Sequence, residues 1–373
     1  MPLVIWPIRT IPMDLSPYAA LGLTHLPPGT VDPEQLTAFS LARVVAVNRT
    51  NYLVHTGAAE ITAELTGKMM AAAESPLDYP TAGDWVYLQL FDDDTFGVIH
   101  GIVTRKSLLK RKAAGKVADV QAIGANIDRA FVVQSLEGDF NIRRLERYAA
   151  AVYEAGIDLT VLLSKADLVE PAETEARLAR LRELMPGLDA IPFSNATGQG
   201  IDAIEARLEP TRTYGLFGSS GVGKTTLLNR LLGEDTFATG DVRVSDKRGR
   251  HTTTRRHLTF LPNGALLLDT PGMRELGTIG MEAGIDDAFD EIASLAGQCK
   301  FSDCSHTSEV GCAVQAALAA GDIEPERYAH YIKLQKESAY NEMSYVEKRR
   351  KNKAFGKMAK EILKGKDKRK ADS

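Results

Sequence analysis

Residues Leu216–Leu232 read LFGSSGVGKTTLLNRLL, and Gly218-Ser219-Ser220-Gly221-Val222-Gly223-Lys224-Thr225 within them matches G-x-x-x-x-G-K-[ST] at every position. The glycines let the backbone curl so that successive N–H groups face a phosphate. A helix opening after Gly223 brings its positive N-terminal dipole to the same point. Lys224 is placed to reach the β- and γ-phosphates, and the Thr225 hydroxyl to bind Mg²⁺. The run from Gly218 through Thr226 is therefore expected to form the phosphate side of a nucleotide site. TYGLFG, just before it, reads as the strand that feeds the loop.

About fifty residues earlier lies VLLSKADLV, Val161–Val169. Ser164-Lys165-Ala166-Asp167 follows the strand-like IDLTVLL. A carboxylate at Asp167 would accept from both N1–H and the 2-amino group of guanine, whereas adenine would face it with a lone pair at N1. The Lys165 stem can lie along the base plane. Ser194-Asn195-Ala196, followed by TGQG, resembles a second base-side loop, where a backbone N–H meets the guanine O6. Asn is usual where Ser164 stands, and it ties the base loop to the phosphate loop. The shorter hydroxyl is expected to lose one such bond, worth ~0.5–1.5 kcal/mol.

Two further runs would sense the γ-phosphate. Asp269-Thr270-Pro271-Gly272 ends the strand-like ALLLD. Asp269 is expected to hold Mg²⁺ through water, and the Gly272 N–H to touch the γ-phosphate. Between the phosphate loop and this run lies Gly249-Arg250-His251-Thr252-Thr253-Thr254, where Thr253 or Thr254 is expected to close over Mg²⁺. Met273 follows Gly272, where many GTPases place a glutamine that orients the attacking water. Methionine cannot do this, so intrinsic hydrolysis is expected to be slow, with His251 the candidate for positioning water. The order along the sequence is base, base, phosphate, switch, switch. A GTPase domain with its motifs in this order is circularly permuted, which is tolerated where the original termini are close. The permutation puts the second switch directly before the C-terminal region.

Around this centre the chain divides by texture. LARVVAVN, NYLVHT, AEITAEL, DWVYLQL and TFGVIHGIV alternate apolar and polar residues with Gly, Pro and Asp between them, which suggests an OB-like β-barrel over 39–110. From 111 to 277 strands alternate with helices, as in an α/β layer with a mostly parallel sheet. From 278 to 345 the pattern is helical except near Cys299-x4-Cys304-x-His306-x5-Cys312. Three thiolates and one imidazole make a full tetrahedral set for one structural Zn²⁺. Three buried free cysteines, or a redox switch, are the alternatives. Residues 1–38 read as an irregular extension; their first twenty carry four prolines and no basic leader, a poor signal peptide.

Composition is that of a globular protein, with 44% hydrophobic and 25% charged residues and no apolar run long enough to span a membrane. Three clustered cysteines do not suit a secreted disulfide framework, so a cytoplasmic location is expected. Net charge is −4, but residues 346–373 carry 12 Lys and Arg against 4 Asp and Glu. This basic tail points to a polyanionic partner, or is simply a solvated end. Nothing marks a coiled coil, and a monomer is expected.

Together, SKADL, SNATGQG, GSSGVGKTTLLN, GRHTTT, DTPG and the Cys/His knuckle, in that order after an OB-like start, resemble the ribosome-small-subunit-dependent GTPases of the RsgA/YjeQ family. The resemblance spans roughly 41–340. It implies a circularly permuted GTPase acting late in maturation of the 30S ribosomal subunit, with GTP converted to GDP under stimulation by that subunit. It also implies that GRHTTT belongs to the hydrolytic apparatus, and that the barrel and zinc regions grip 16S rRNA. Ser164 in place of Asn, Asn195 where a small residue is common, and the long extension depart from the family pattern. Two other classes remain open from the residues: a small-substrate kinase, which leaves SKAD and the knuckle unexplained, and a non-catalytic nucleotide-regulated RNA-binding module.

Overall fold

The computed structural model describes residues 15–112, 120–138, 140–233, 257–269 and 282–342. The first fourteen residues and the basic tail lie outside them.

Five strands form the N-terminal barrel: β1 (Ser40–Val47), β2 (Tyr52–His55), β3 (Glu60–Leu65), β4 (Trp85–Phe91) and β5 (Phe96–Ile102), with a short helix α1 (Gly67–Ala72) after β3. They follow the order β1-β2-β3-β5-β4, and β4 closes the ring on β1. All pairings are antiparallel except β3 with β5. The cause is the period-2 pattern. In β3, Ile61 and Ala63 point inward while Glu60, Thr62 and Glu64 face solvent. Val44, Val54, Leu88 and Ile99 complete the interior.

The outer face of β1 and β4 is covered as well. Tyr18, Leu21 and Leu23, on two short 3₁₀ turns, pack on Leu41, Trp85 and Tyr87. From Leu15 onward the extension is irregular, as its prolines suggest, but it is part of the core. Arg43 is the pin. Only 1% exposed, it donates to the Leu21 carbonyl and to Thr213 Oγ1 (2.7 Å) and lies over the Trp85 ring. Burial pulls its guanidinium pKa down to about 10, against the pull of Asp128 and Asp84.

A hairpin of β6 (Leu108–Lys112) and β7 (Val120–Ala125) follows the barrel. The alternation pattern does not announce it, and the expected boundary after Lys110 falls inside β6. Next come β8 (Arg129–Ser135), α2 (Ile142–Glu154), β9 (Asp158–Ser164), α3 (Pro171–Leu184), β10 (Asp189–Pro192), α4 (Ile201–Glu205), β11 (Thr213–Gly218), α5 (Lys224–Leu232), β12 (His257–Phe260) and β13 (Leu266–Asp269). The sheet runs β10-β9-β8-β11-β13 in parallel, with β12 antiparallel on its edge. β12 also pairs with β1 at His257↔Ala46, so the barrel and the α/β sheet are continuous. Asn141 caps α2 by accepting the Arg144 N–H, and Pro171 occupies the first turn of α3.

Four helices end the described residues: α6 (Glu282–Ala288), α7 (Asp290–Ala296), α8 (Ala313–Ala320) and α9 (Pro325–Glu342). They are joined to the sheet layer through α2. Glu154 accepts the Gly284 N–H at 3.1 Å. Glu146, 3% exposed, accepts from both Arg327 and His330 of α9. Arg327 also donates to Glu291 on α7 and to the Leu184 carbonyl at the end of α3.

Candidate nucleotide site and Cys/His cluster

In a parallel α/β sheet, ligands bind beyond the carboxyl ends of the strands. Here those ends are level. Gly218 is opposite Val133, Ser135 opposite Ser164, Leu163 opposite Pro192, and Leu216 opposite Asp269. The phosphate loop and both base-side runs therefore share one edge.

The loop leaves β11 at Gly218, whose φ is 142° and where a Cβ would lie 2.2 Å from the Val133 carbonyl oxygen. Gly221 and Gly223 also have positive φ, at 78° and 93°, a shape that side-chain-bearing residues resist. Buried Val222 holds the loop down, and α5 opens at Lys224 with Thr225 half-buried in its first turn and Thr226 exposed. Lys224 Nζ donates to the carbonyls of Gly218 (2.8 Å) and Ser219 (2.6 Å). The lysine thus closes its own loop, and a phosphate bound there would replace those carbonyls. Arg144, from the first turn of α2, donates to Ser219 Oγ at 3.2 Å and brings a second positive charge to the loop.

On the base side, Lys165 adopts a left-handed φ of 59° and its Nζ lies 3.3 Å from Glu137. The Ala166 N–H donates to the Phe193 carbonyl at 3.1 Å, tying the two base runs together. Asp167 is exposed at the edge, clear of the fold's apolar interior. Buried Ser164 directs its hydroxyl back to the Gln134 carbonyl, 3.4 Å away. Ser194 Oγ accepts the N–H groups of Ala196 and Thr197, which sets the second loop. Asn195 Nδ2 donates to the Gly223 carbonyl at 3.0 Å, and Arg230 of α5 donates to the Asn195 carbonyl at 2.9 Å.

Asp269 ends β13, the strand beside β11, so its backbone is at the same edge. His251, Thr252, Thr253, Thr254, Gly272 and Met273 lie outside the described residues. Arg144, Arg230 and Glu137 are at the site without having been singled out from the sequence. Long side chains reaching from helix faces and loop ends carry no spacing signature.

The four cluster residues converge. The ligand atoms of Cys299, Cys304, His306 and Cys312 all lie within 4.8 Å of one another. Cys299 Sγ is 3.5 Å from His306 Nδ1 and 3.8 Å from Cys312 Sγ, which is itself 3.6 Å from the same nitrogen. A tetrahedron around zinc has S–S edges of about 3.8 Å and S–N edges of about 3.6 Å, given its usual bond lengths. The residues therefore fit zinc. The surroundings orient them. His306 sits at φ 58°, and its carbonyl accepts from Gln315 (2.6 Å) and Tyr328 (2.7 Å). Cys312 Sγ accepts the Gln315 N–H at the start of α8. Glu309 closes the knuckle by accepting from the N–H groups of Ser305, Thr307 and Ser308 and from the Ser305 hydroxyl. These bonds pull its carboxyl pKa down to about 2.

The family model for the RsgA GTPase matches residues 102–279. A small ribosomal subunit biogenesis GTPase RsgA 2 of Lactiplantibacillus plantarum is 45% identical over 300 residues, covering 80% of this chain and 84% of the relative. Another of that name, from Vibrio parahaemolyticus, is 39% identical over 91% of this chain and 90% of its own length. Among solved structures, YjeQ of Thermotoga maritima superposes with a TM-score of 0.59 at 24% identity, covering 79% of this chain and 96% of that one. YloQ, a circularly permuted GTPase, gives 0.56 at 22% identity over 82% of this chain and 97% of its own. The parallel register brings the carboxyl ends of β8, β9, β10, β11 and β13 to one sheet edge, and the protein belongs to the RsgA GTPase family.

Proposed function

We propose that this protein binds the 30S ribosomal subunit and acts in its late maturation, hydrolysing GTP to GDP and phosphate with stimulation by the subunit. The observation that carries the reading is the meeting of Asp167, Asn195 and the Gly218–Thr226 loop at one edge, in a protein 45% identical to a small ribosomal subunit biogenesis GTPase. Asp167 selects guanine, Lys165 flanks the base, and Ser194 to Ala196 present the N–H for O6. Backbone N–H groups of Gly218 to Gly223 and the Lys224 ammonium hold the phosphates.

Mg²⁺, when bound, would neutralise developing charge on the β- and γ-oxygens. Thr225, Asp269 and Thr253 or Thr254 are the residues to hold it. His251 positions the attacking water, a role Met273 cannot fill, and Gly272 senses the γ-phosphate. The cluster of Cys299, Cys304, His306 and Cys312 holds one structural zinc, with no ligand position left open.

In this reading the extension (1–38) and barrel (39–110), the permuted GTPase domain (111–277), the zinc-binding helices (278–345) and the basic tail (346–373) form one cytoplasmic monomer. The barrel, the knuckle and the tail meet 16S rRNA. Contacts between tail lysines and phosphates would make binding salt-sensitive.

The test is hydrolysis by the purified protein with and without 30S subunits, with ATP in parallel. A large rise with the subunit, for GTP alone, is expected. Equal use of ATP, or no response to the subunit, would overturn the proposal.

A further inference from the structure

We infer that Asn195 does the work of the amide that the base-reading run lacks at Ser164, locking the base side of the site to the phosphate loop. The inference rests on the guanine-nucleotide reading above. At the end of β9, where an asparagine could tie base loop to phosphate loop, Ser164 is 1% exposed and its hydroxyl is directed at the Gln134 carbonyl of the neighbouring strand. It bonds the sheet to itself.

The bridge comes from the adjacent loop instead. Asn195 Nδ2 donates to the carbonyl of Gly223, the residue that caps α5 directly before Lys224. The amide's orientation follows from its partner, because a carbonyl can only accept, so the nitrogen must face it. The approach needs a glycine, since a Cβ at residue 223 would lie 2.8 Å from that nitrogen. Arg230, two turns along α5, holds the Asn195 carbonyl at 2.9 Å. Asn195 is thus gripped through side chain and backbone by the helix that carries Lys224.

The bridge is incomplete in one respect. Asn195 Oδ1 is buried with no hydrogen-bond partner among the described residues. A buried acceptor in that state favours any occupant, nucleotide or ordered water, that supplies a donor. Nδ2 keeps a second N–H for an acceptor on the purine, where guanine offers O6 and N7. Asn195 is therefore a positioning residue, set before nucleotide arrives.

Equilibrium binding and dissociation of fluorescent GDP, with ADP in parallel, test this on the full-length protein with Asn195→Ala, Asn195→Asp, Ser164→Asn and Ser164→Asn/Asn195→Ala. Melting without nucleotide confirms that each variant is folded. Asn195→Ala is expected to weaken GDP about tenfold, mainly through faster release, and Asn195→Asp, which sets a carboxylate against the Gly223 carbonyl, by more. Ser164→Asn should recover most of the loss in the Asn195→Ala background and change little alone, so the two effects do not add. GDP affinity of Asn195→Ala within twofold of wild type, or no recovery by Ser164→Asn, would overturn the inference while guanine preference stands. Absence of guanine preference in wild type, or its survival in Asp167→Ala, would instead overturn the reading beneath it.

Discussion

Gly284 on α6 lies against the backbone of α2, where a Cβ would come within 2.0 Å of the Ala150 carbonyl oxygen and 2.6 Å of the Glu154 nitrogen. Neither neighbour is a side-chain tip that can swing away. In an ordinary helix, glycine to alanine stabilises by up to about 1 kcal/mol. Here the sign inverts. Gly284→Ala is expected to lower the melting temperature and to loosen the C-terminal helices from α2. Gly297→Ala is the control, because a Cβ there meets only the Ser294 carbonyl, at 3.7 Å. Thermal melts of the two variants should move apart, with Gly297→Ala near wild type.

The same seam holds a buried ionic group. Glu146→Leu would leave Arg327 charged and 7% exposed without its central partner, a loss of about 3–5 kcal/mol. Replacing both, as Glu146→Leu/Arg327→Met, should cost less than Glu146→Leu alone. Urea denaturation of the single and double variants measures the difference. Equal or greater loss in the double variant would mean that the Arg327 contacts to Leu184 and Glu291 carry the seam instead.

Purified protein is expected to carry one zinc per molecule by elemental analysis. Cys304→Ser should release it. Metal binding to such a cluster is worth on the order of 10 kcal/mol gross, so its loss should expose the segment around Cys299 to Cys312 to proteolysis. GDP binding at the phosphate loop should survive. Loss of metal without any change in proteolysis would show that the Glu309 and Gln315 bonds suffice to hold the knuckle.

Glu309 gives a pH signature. Its carboxyl is held at about 2 in the folded protein against an ordinary value of 4.5, because four donors surround the charged form. A depressed acid stabilises the fold above its unfolded pKa and loses that contribution as pH falls toward its folded one. The stability gap between wild type and Glu309→Gln should therefore be constant above about pH 5 and narrow from about 4.5 toward about 2. Melts of both proteins at matched pH cancel titrations that are independent of the knuckle. A gap that does not change with pH would assign the bonds to geometry rather than charge.

Much of this molecule is legible in one dimension where local physics decides. Alternation marks the barrel strands, as in Glu60 to Leu65. Fixed spacing marks the phosphate loop and the four cluster residues, since each needs particular atoms at one point. Legibility fails where tertiary contact decides. β6 reads LLKRK, too charged to look like a strand, and is one only because β7 pairs with it. Arg43 falls within a strand pattern that would leave a charged residue facing solvent, and it is buried because the extension folds over it. The contact of Asn195 with the Gly223 carbonyl joins two loops far apart in the sequence, and no spacing announces it.

The β12–β1 pairing sets a leash length. His257 is paired with the barrel's first strand opposite Ala46, and His251 precedes it by six residues. At no more than about 3.6 Å per residue, His251 can never be more than about 22 Å from that anchor. The proposed water-positioning histidine is therefore tethered to the barrel by a short stretch of chain. In the proposed reading, a partner seated on the barrel beside Ala46 would stand within that reach of the histidine, so docking and hydrolysis would be neighbours in space.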